Sequence, residues 1–387
     1  ELSVRPDDGT ADPVDGVTVT LWGKWTHTAD HAAPGMDLLV TDAERSAFRG
    51  EAGYATSGDS YVVLEPDFLV DVTDVRSWVQ CPRMYYLNKL SGVPLAYPVV
   101  KGTIVHEVFG DLLRGRDLDE AVADHVEAAG LELGLLGREA AEVRDEVRRN
   151  AAAIEGWLAQ GTLTEADDWR SEYTLISPTF GIKGRADALR RDSPVELKTG
   201  KNTKREPRFH DKIQAATYAL LLGESGDSPN TGTLLYTKNA ALDRNEASGD
   251  LSPAKEFSVG RGLLEFVVRT RNEIAATEAR RDVPTGYEAD AKCDWCFEQD
   301  TCMVVSGRLD QESKAGRVGT AIPEGERDYF ADFYRAVEDL DPCGRRQLPD
   351  GDWELRARVP DGAVSKLREG DVALASSGDP IGGDAEL

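Results

Sequence analysis

The sequence predicts an α/β protein whose core is a mixed sheet flanked by helices, with small β-barrel elements at both ends. Three observations carry that prediction. Four strand-like runs, at 171–176, 180–189, 195–198 and 233–237, keep company with segments whose apolar residues recur at the helical period. Ahead of them, 17–25 and 61–64 are β-rich with turn residues between, the pattern of a small OB-like barrel. Behind them, 353–375 alternates like strands, with Gly370-Asp371 at a turn. At 387 residues the chain has length for two or three domains, and it divides at 1–70, 71–302 and 303–387.

Taken in order, 65–73 leads from the first barrel into a helix that begins near Cys81. Lys101-Gly102-Thr103-Ile104-Val105-His106-Glu107-Val108-Phe109 opens a second, apolar helix, in which His106 is the odd residue on a core-like face. A lone histidine there is more often structural than a ligand, and Gly110 rules out the H-E-x-x-H zinc motif. The charge-rich stretch 139–149 reads as a solvated helix, and 243–254 as a loop insertion. A further amphipathic helix is expected at 327–334.

The chemistry concentrates on one hairpin. In Pro194-Val195-Glu196-Leu197-Lys198, alternation gives Glu196 and Lys198 one face while Val195 and Leu197 enter a core. Asp187, in Gly184-Arg185-Ala186-Asp187-Ala188-Leu189, would then lie beside Glu196. Two carboxylates and an ammonium are the group set phosphodiester hydrolysis needs, carboxylates to hold Mg²⁺ and a lysine to orient the attacking water. Taken alone, the spacing fits equally a half-exposed hairpin with a charged outer face. The helix over 208–222 adds Gln214 and Tyr218, one turn apart on one face, where they could order the lysine or meet a phosphate.

Cysteine spacing is an independent signal. Cys293, Cys296 and Cys302 form C-x2-C-x5-C, and Cys81 is the candidate fourth thiol, with 211 residues between it and Cys293; Cys343 has no evident partner. Four thiolates suit tetrahedral zinc or an iron–sulfur cluster. Zinc sites usually draw ligands as two close pairs, so one distant cysteine joining a triplet favours a cluster.

Cys81-Pro82-Arg83-Met84-Tyr85-Tyr86-Leu87, Gly102-Thr103-Ile104-Val105-His106, Gly184-x-x-Asp187, Glu196-Leu197-Lys198-Thr199-Gly200-Lys201, Gln214-x3-Tyr218 and the cysteine triplet occur in this order. Together they resemble the iron–sulfur nucleases of the PD-(D/E)XK, RecB-like superfamily. The resemblance runs from Val72 to Cys302, and it implies a restriction-endonuclease-like core. It further implies that Asp187, Glu196, His106 and the Leu197 carbonyl hold Mg²⁺ or Mn²⁺. Lys198 would be the catalytic lysine, with Gln214 and Tyr218 supporting it. Cys81, Cys293, Cys296 and Cys302 would hold a [4Fe–4S] cluster. One departure is Ala186 where the superfamily often has proline before the first acid.

The flanking β-rich ends look like the nuclease end of the replication helicase–nucleases that trim Okazaki flaps and resect DNA ends. That resemblance implies single-stranded DNA or flaps as substrate, with a helicase region or subunit and a single-strand-binding protein as partners. Other RecB-like exonucleases, of CRISPR spacer-acquisition or recombination type, and a non-catalytic DNA-binding module are the alternatives. The chain starts at Glu1 and contains no G-x4-G-K-[ST] phosphate loop, so it reads as a fragment without a helicase motor.

Charge argues about habitat. The formal net charge is −25, with 32 arginines but only 13 lysines beneath 70 acidic residues, the reverse of a basic DNA-binding footprint. An acid-rich, lysine-poor surface is the pattern of proteins kept soluble in concentrated salt, and points to a halophilic archaeon. In molar salt the Debye length falls to about 3 Å, which screens surface acids from phosphates. Candidate strand contacts are Arg83, Tyr85 and Tyr86 near the cysteines, and Lys201, Lys204, Arg205 and Arg208 after the catalytic strand. No apolar run is long enough to cross a bilayer, and the expected compartment is cytoplasmic.

Overall fold

The computed structural model describes residues 1–5, 16–48, 51–92, 95–158, 168–200, 202, 206–226, 228–237, 253–281, 284, 296–298, 302, 341–347, 353–358, 372–374 and 384–386. The chain divides into two compact units, one of residues 1–80 with 94–280, the other of 81–93 with 281–387.

The first unit opens with β1 (Leu2–Val4), β2 (Val17–Thr20), α1 (Thr28–His31), β3 (Leu38–Val40), β4 (Glu44–Phe48), β5 (Glu51–Ala55) and β6 (Val62–Leu64). Their strands form an open sheet in the order β1-β2-β5-β4 and a separate β3-β6 pair, so the expected closed barrel is not seen among the described residues. β7 (Val70–Asp71) runs directly into α2 (Val72–Gln80). The chain then passes through the other unit as α3 (Pro82–Ser91) and returns with α4 (Tyr97–Leu113), α5 (Leu118–Ala128), α6 (Gly130–Leu135) and α7 (Ala140–Leu158). Val143, Val147, Ala151 and Ile154 of α7 are buried, so the charge of 139–149 belongs to one face of a core helix, not to a wholly solvated one.

The central sheet follows: β8 (Trp169–Ser177), β9 (Ile182–Arg190), β10 (Ser193–Lys198), α8 (Phe209–Glu224), β11 (Thr231–Tyr236), β12 (Ala254–Ser258) and α9 (Arg261–Arg280). Its order is β12-β11-β10-β9-β7, with β8 also paired to β9. The β10–β11 and β7–β9 pairs are parallel and the others antiparallel, the mixed sheet expected. Val195 and Leu197 of β10 join Ala188 and Leu235 in a core with α4, α5, α6 and α7. Lys198, on the alternate face of β10, meets α8.

Two features of this frame matter for the site. Gly184 lies where an added Cβ would come within 2.6 Å of Val72 and 3.1 Å of the Tyr218 ring, so glycine lets α2 and α8 close on β9. The helix α9 carries a fully buried Arg271, which donates to the carbonyls of Leu64, Glu65, Phe68 and Gly181. Neither α9 nor this arginine stands out in the sequence, because the acceptors of Arg271 are four backbone carbonyls and the neighbouring Asn272 Oδ1.

The second unit contains α3, β13 (Asp341–Gln347) paired with β14 (Trp353–Arg358), and β15 (Val372–Leu374) paired with β16 (Asp384–Glu386). The helix expected at 327–334 lies outside the described residues.

Candidate active site

The β9–β10 ladder stops at the pair Ala188–Val195. One step further, Asp187 and Glu196 would be opposite, and there side-chain bonds replace the backbone bridge. Asp187 Oδ2 accepts from the Leu197 N–H at 2.7 Å, and the Asp187 N–H points to Glu196 Oε1 at 3.4 Å. The parting of two strands thus creates a gap lined by both carboxylates. From α4, His106 reaches in, its Nδ1 2.9 Å from Asp187 Oδ1. From α8, Gln214 Oε1 accepts from Lys198 Nζ at 2.6 Å, and Lys198 also lies 3.3 Å from Glu196 Oε2. Tyr218 donates to the Arg185 carbonyl at 2.8 Å and so ties α8 to the strand that carries Asp187. Gln214 thus accepts a hydrogen bond from the lysine.

Glu196 is 1% exposed, so its strand is not a half-exposed charged face. Placing a carboxylate there without water is unfavourable, and burial followed by the neighbouring Asp187 pushes its pKa up to about 8. For Asp187, burial also favours the neutral form, but His106, Lys198 and the Leu197 N–H outweigh it and hold the carboxyl below its ordinary range. Burial works against a charged His106, yet Asp187 wins and its pKa is raised.

A second layer was not anticipated. Asp211, fully buried one turn before Gln214, is held by Arg76 at 3.1 Å and the Tyr236 hydroxyl at 2.9 Å. Tyr236 is the register partner of Lys198 across β10–β11. The i, i+3 spacing of Asp211 and Gln214 was the available signal.

Among the described residues, no group of three or more His, Cys, Asp or Glu side chains is arranged to hold a metal ion. At Asp187 the reason is visible: His106 and the Leu197 N–H each take one carboxylate oxygen. The donor chemistry nevertheless fits a divalent cation. Two enclosed carboxylates share one lysine and one histidine, an oxygen-rich set in which burial and then the neighbouring Asp187 raise the Glu196 pKa, and a cation would favour its charged form.

The other candidates are dispersed. Cys81 caps α3, its Sγ accepting from the Met84 N–H at 3.5 Å, and it belongs to the same compact unit as Cys296 and Cys302. All three are half-buried; Cys293, Lys201, Lys204 and Arg205 lie outside the described residues. Arg83 and Tyr86 are half-buried on α3, whereas Tyr85 is only 4% exposed, its ring enclosed and not offered to a strand. Arg208 caps α8 beside the Tyr236 ring.

Residues 14–191 match the family described as DNA replication factor Dna2. That span contains His106 and Asp187 and ends before β10. Similarity to individual proteins extends further. The chain is 24% identical over 354 residues to the DNA replication ATP-dependent helicase/nuclease dna2 of Schizosaccharomyces pombe, covering 83% of this chain and 23% of that protein. For the Homo sapiens protein of the same description the values are 22% over 317 residues, 67% and 29%. For that of Saccharomyces cerevisiae they are 23% over 296 residues, 66% and 19%. The chain thus spans about a quarter of the length of these curated relatives. No helix among the described residues is long and apolar enough to cross a membrane.

Proposed function

We propose that this chain is the nuclease region of a Dna2-like protein. It would be a Mg²⁺- or Mn²⁺-dependent, single-strand-directed DNA nuclease acting in flap processing, end resection or repair. The observation that carries the reading is the hydrogen-bonded set of His106, Asp187, Glu196, Lys198 and Gln214, gathered from α4, β9, β10 and α8 around a gap between two strands.

Asp187 and Glu196, with His106 and the Leu197 carbonyl, would hold the cation. When bound, such an ion lowers the pKa of water and offsets charge on the phosphate. The chain's own groups do the rest. Lys198, fixed by Gln214, directs its ammonium at the attacking water and keeps it in line with the scissile P–O bond. Water adds to phosphorus and gives up one proton to solvent, the P–O bond breaks, and the departing oxygen takes up a proton from solvent, so that a phosphomonoester and a hydroxyl result. Tyr218 keeps β9 seated on α8, and Asp211 with Tyr236 anchors α8 beside Lys198.

In this reading a helicase region and a single-strand-binding protein are the partners, and the compartment is cytoplasmic and rich in salt. The acidic, lysine-poor composition supports the last point. Cys81, Cys293, Cys296 and Cys302 make up the thiol set for a [4Fe–4S] cluster. The described cysteines are not grouped for a metal, so no step is assigned to the cluster. We take the organisation as an N-terminal β module to residue 70, a nuclease core to 302 and a C-terminal β segment.

The test is cleavage of a 5′-labelled single strand and its matching duplex in molar KCl, with and without Mg²⁺ or Mn²⁺. Metal-dependent cutting of the single strand, lost in Glu196→Ala and Lys198→Ala, is expected. Undiminished cutting by either variant would refute the proposed site.

A further inference from the structure

Glu172 is, among the described residues, the one non-glycine residue inside a strand whose φ lies in the left-handed region, at 53°. On either side of it β8 pairs with β9 in continuous register, Ser171 with Ala188 and Tyr173 with Ala186. Glu172 therefore occupies the position opposite Asp187, and no backbone bridge joins the two. Carboxylates facing one another across a ladder repel, and a non-glycine residue at positive φ is strained. Two unfavourable features coincide at one position beside the site, which is where strain that serves function is found.

The geometry also supplies what offsets them. Arg185 shares a face of β9 with Asp187 by alternation, and its Nε lies 2.7 Å from Glu172 Oε2. Burial raises the Glu172 pKa, Arg185 opposes that rise, and Asp187 and Glu107 add to it, so all these groups lie within electrostatic reach. The Arg185 side chain is 63% exposed, and its two terminal nitrogens have no partner among the described residues. Lys198 is different: 14% exposed and turned to Glu196 and Gln214. Among the described cationic side chains beside Asp187 and Glu196, Arg185 is the most open to solvent.

We propose that Glu172 and Arg185 form a phosphate-binding device. Glu172 acts as a positioning residue that holds the guanidinium beside Asp187, and the terminal nitrogens of Arg185 grip the non-bridging oxygens of one phosphodiester in a single strand. This rests on the nuclease reading of the Asp187 site. A planar guanidinium suits the task, because its two outer N–H groups match a phosphate as a fork while its inner edge stays ion-paired with the carboxylate. In a chain of net charge −25, a polyanion approaching Glu107, Glu172, Asp187 and Glu196 needs such a fixed cation at the entrance.

The experiment measures binding of a fluorescent oligo(dT) across a KCl series, with melting curves and single-turnover cleavage, on the full chain. Arg185→Ala is expected to weaken binding about tenfold, the loss of one charge-assisted hydrogen-bonded contact. It should also lower the slope of log Kd against log salt by about 0.7, the share of one single-strand phosphate. Arg185→Lys keeps the charge but not the fork, so it should keep the slope and lose affinity. Glu172→Gly relieves the left-handed strain, and should raise Tm while weakening binding. Added to Arg185→Ala, it should weaken binding no further. Wild-type Kd and slope in Arg185→Ala would overturn the phosphate contact, and wild-type Kd in Glu172→Gly would overturn the positioning role. If the wild type cuts and Glu196→Ala does not, either result sinks this inference alone; a wild type that neither binds nor cuts would remove the nuclease reading beneath it.

Discussion

Replacing Glu196 by glutamine removes an ionisable group from a site where the protein disfavours its charge, and the stability gained can be worked out. The carboxyl titrates near 4.5 in the unfolded chain and near 8 in the fold. Its neutral form therefore stabilises the fold fully below about pH 4.5, and that contribution is lost as pH climbs through 8. Between pH 5.5 and 7.5 the unfolded chain is ionised there and the folded chain keeps the proton. Stability then falls by about 1.4 kcal/mol per unit, or about 3 kcal/mol across the window. His106, whose pKa is raised, adds a slope of the same sign, while Asp187, held below its ordinary range, titrates at lower pH. Glu196→Gln removes the first and, because Glu196 is one of the charges that raise His106, lessens the second. Its Tm advantage over wild type should thus grow by about 6–12 °C from pH 5.5 to 7.5, taking about 2–4 °C per kcal/mol. Differential scanning calorimetry in molar KCl at both pH values measures this. Added Mg²⁺ should raise the Tm of wild type at pH 7.5 and leave the variant unmoved. An advantage that is the same at both pH values, or a variant less stable than wild type at pH 7.5, would refute the argument from buried charge.

Other expectations follow from particular contacts. Arg271→Met removes a donor shared by the carbonyls of Leu64, Glu65, Phe68 and Gly181, of which Glu65 and Gly181 keep the N–H groups of Phe68 and Val70; a destabilisation of about 3 kcal/mol is expected in denaturant titration, and a loss below about 1 kcal/mol would mean the other oxygens find new partners. Cys296→Ser should cost the purified protein its iron and visible absorption, and an unchanged spectrum would count against the cluster.

The central hairpin was legible because its signal is local. Strand alternation alone separates Glu196 and Lys198 from Val195 and Leu197, and helical spacing alone puts Gln214 and Tyr218 on one face. The same locality explains the observed β8 and β10, which extend the expected runs by one or two residues at an end. Burial of Glu196 was not legible, since alternation says which residues share a face but not whether a helix covers it. Nor was the role of Asp211, a residue that reads as a surface acid until Arg76 and Tyr236 close on it.

The sequence by itself determined the strands of the central hairpin, the helix that carries Gln214 and Tyr218, and the acid-rich character of the chain, because these depend on periodicity and composition within short windows. Only the tertiary structure decided that His106 meets Asp187, 81 positions away, and that Arg271 clamps Leu64 across 207. It alone set Glu172 opposite Asp187 in a strained conformation. Such pairings are fixed by strand register and helix packing, and the free energy that selects them is spread over the whole core, so no short stretch of sequence encodes them.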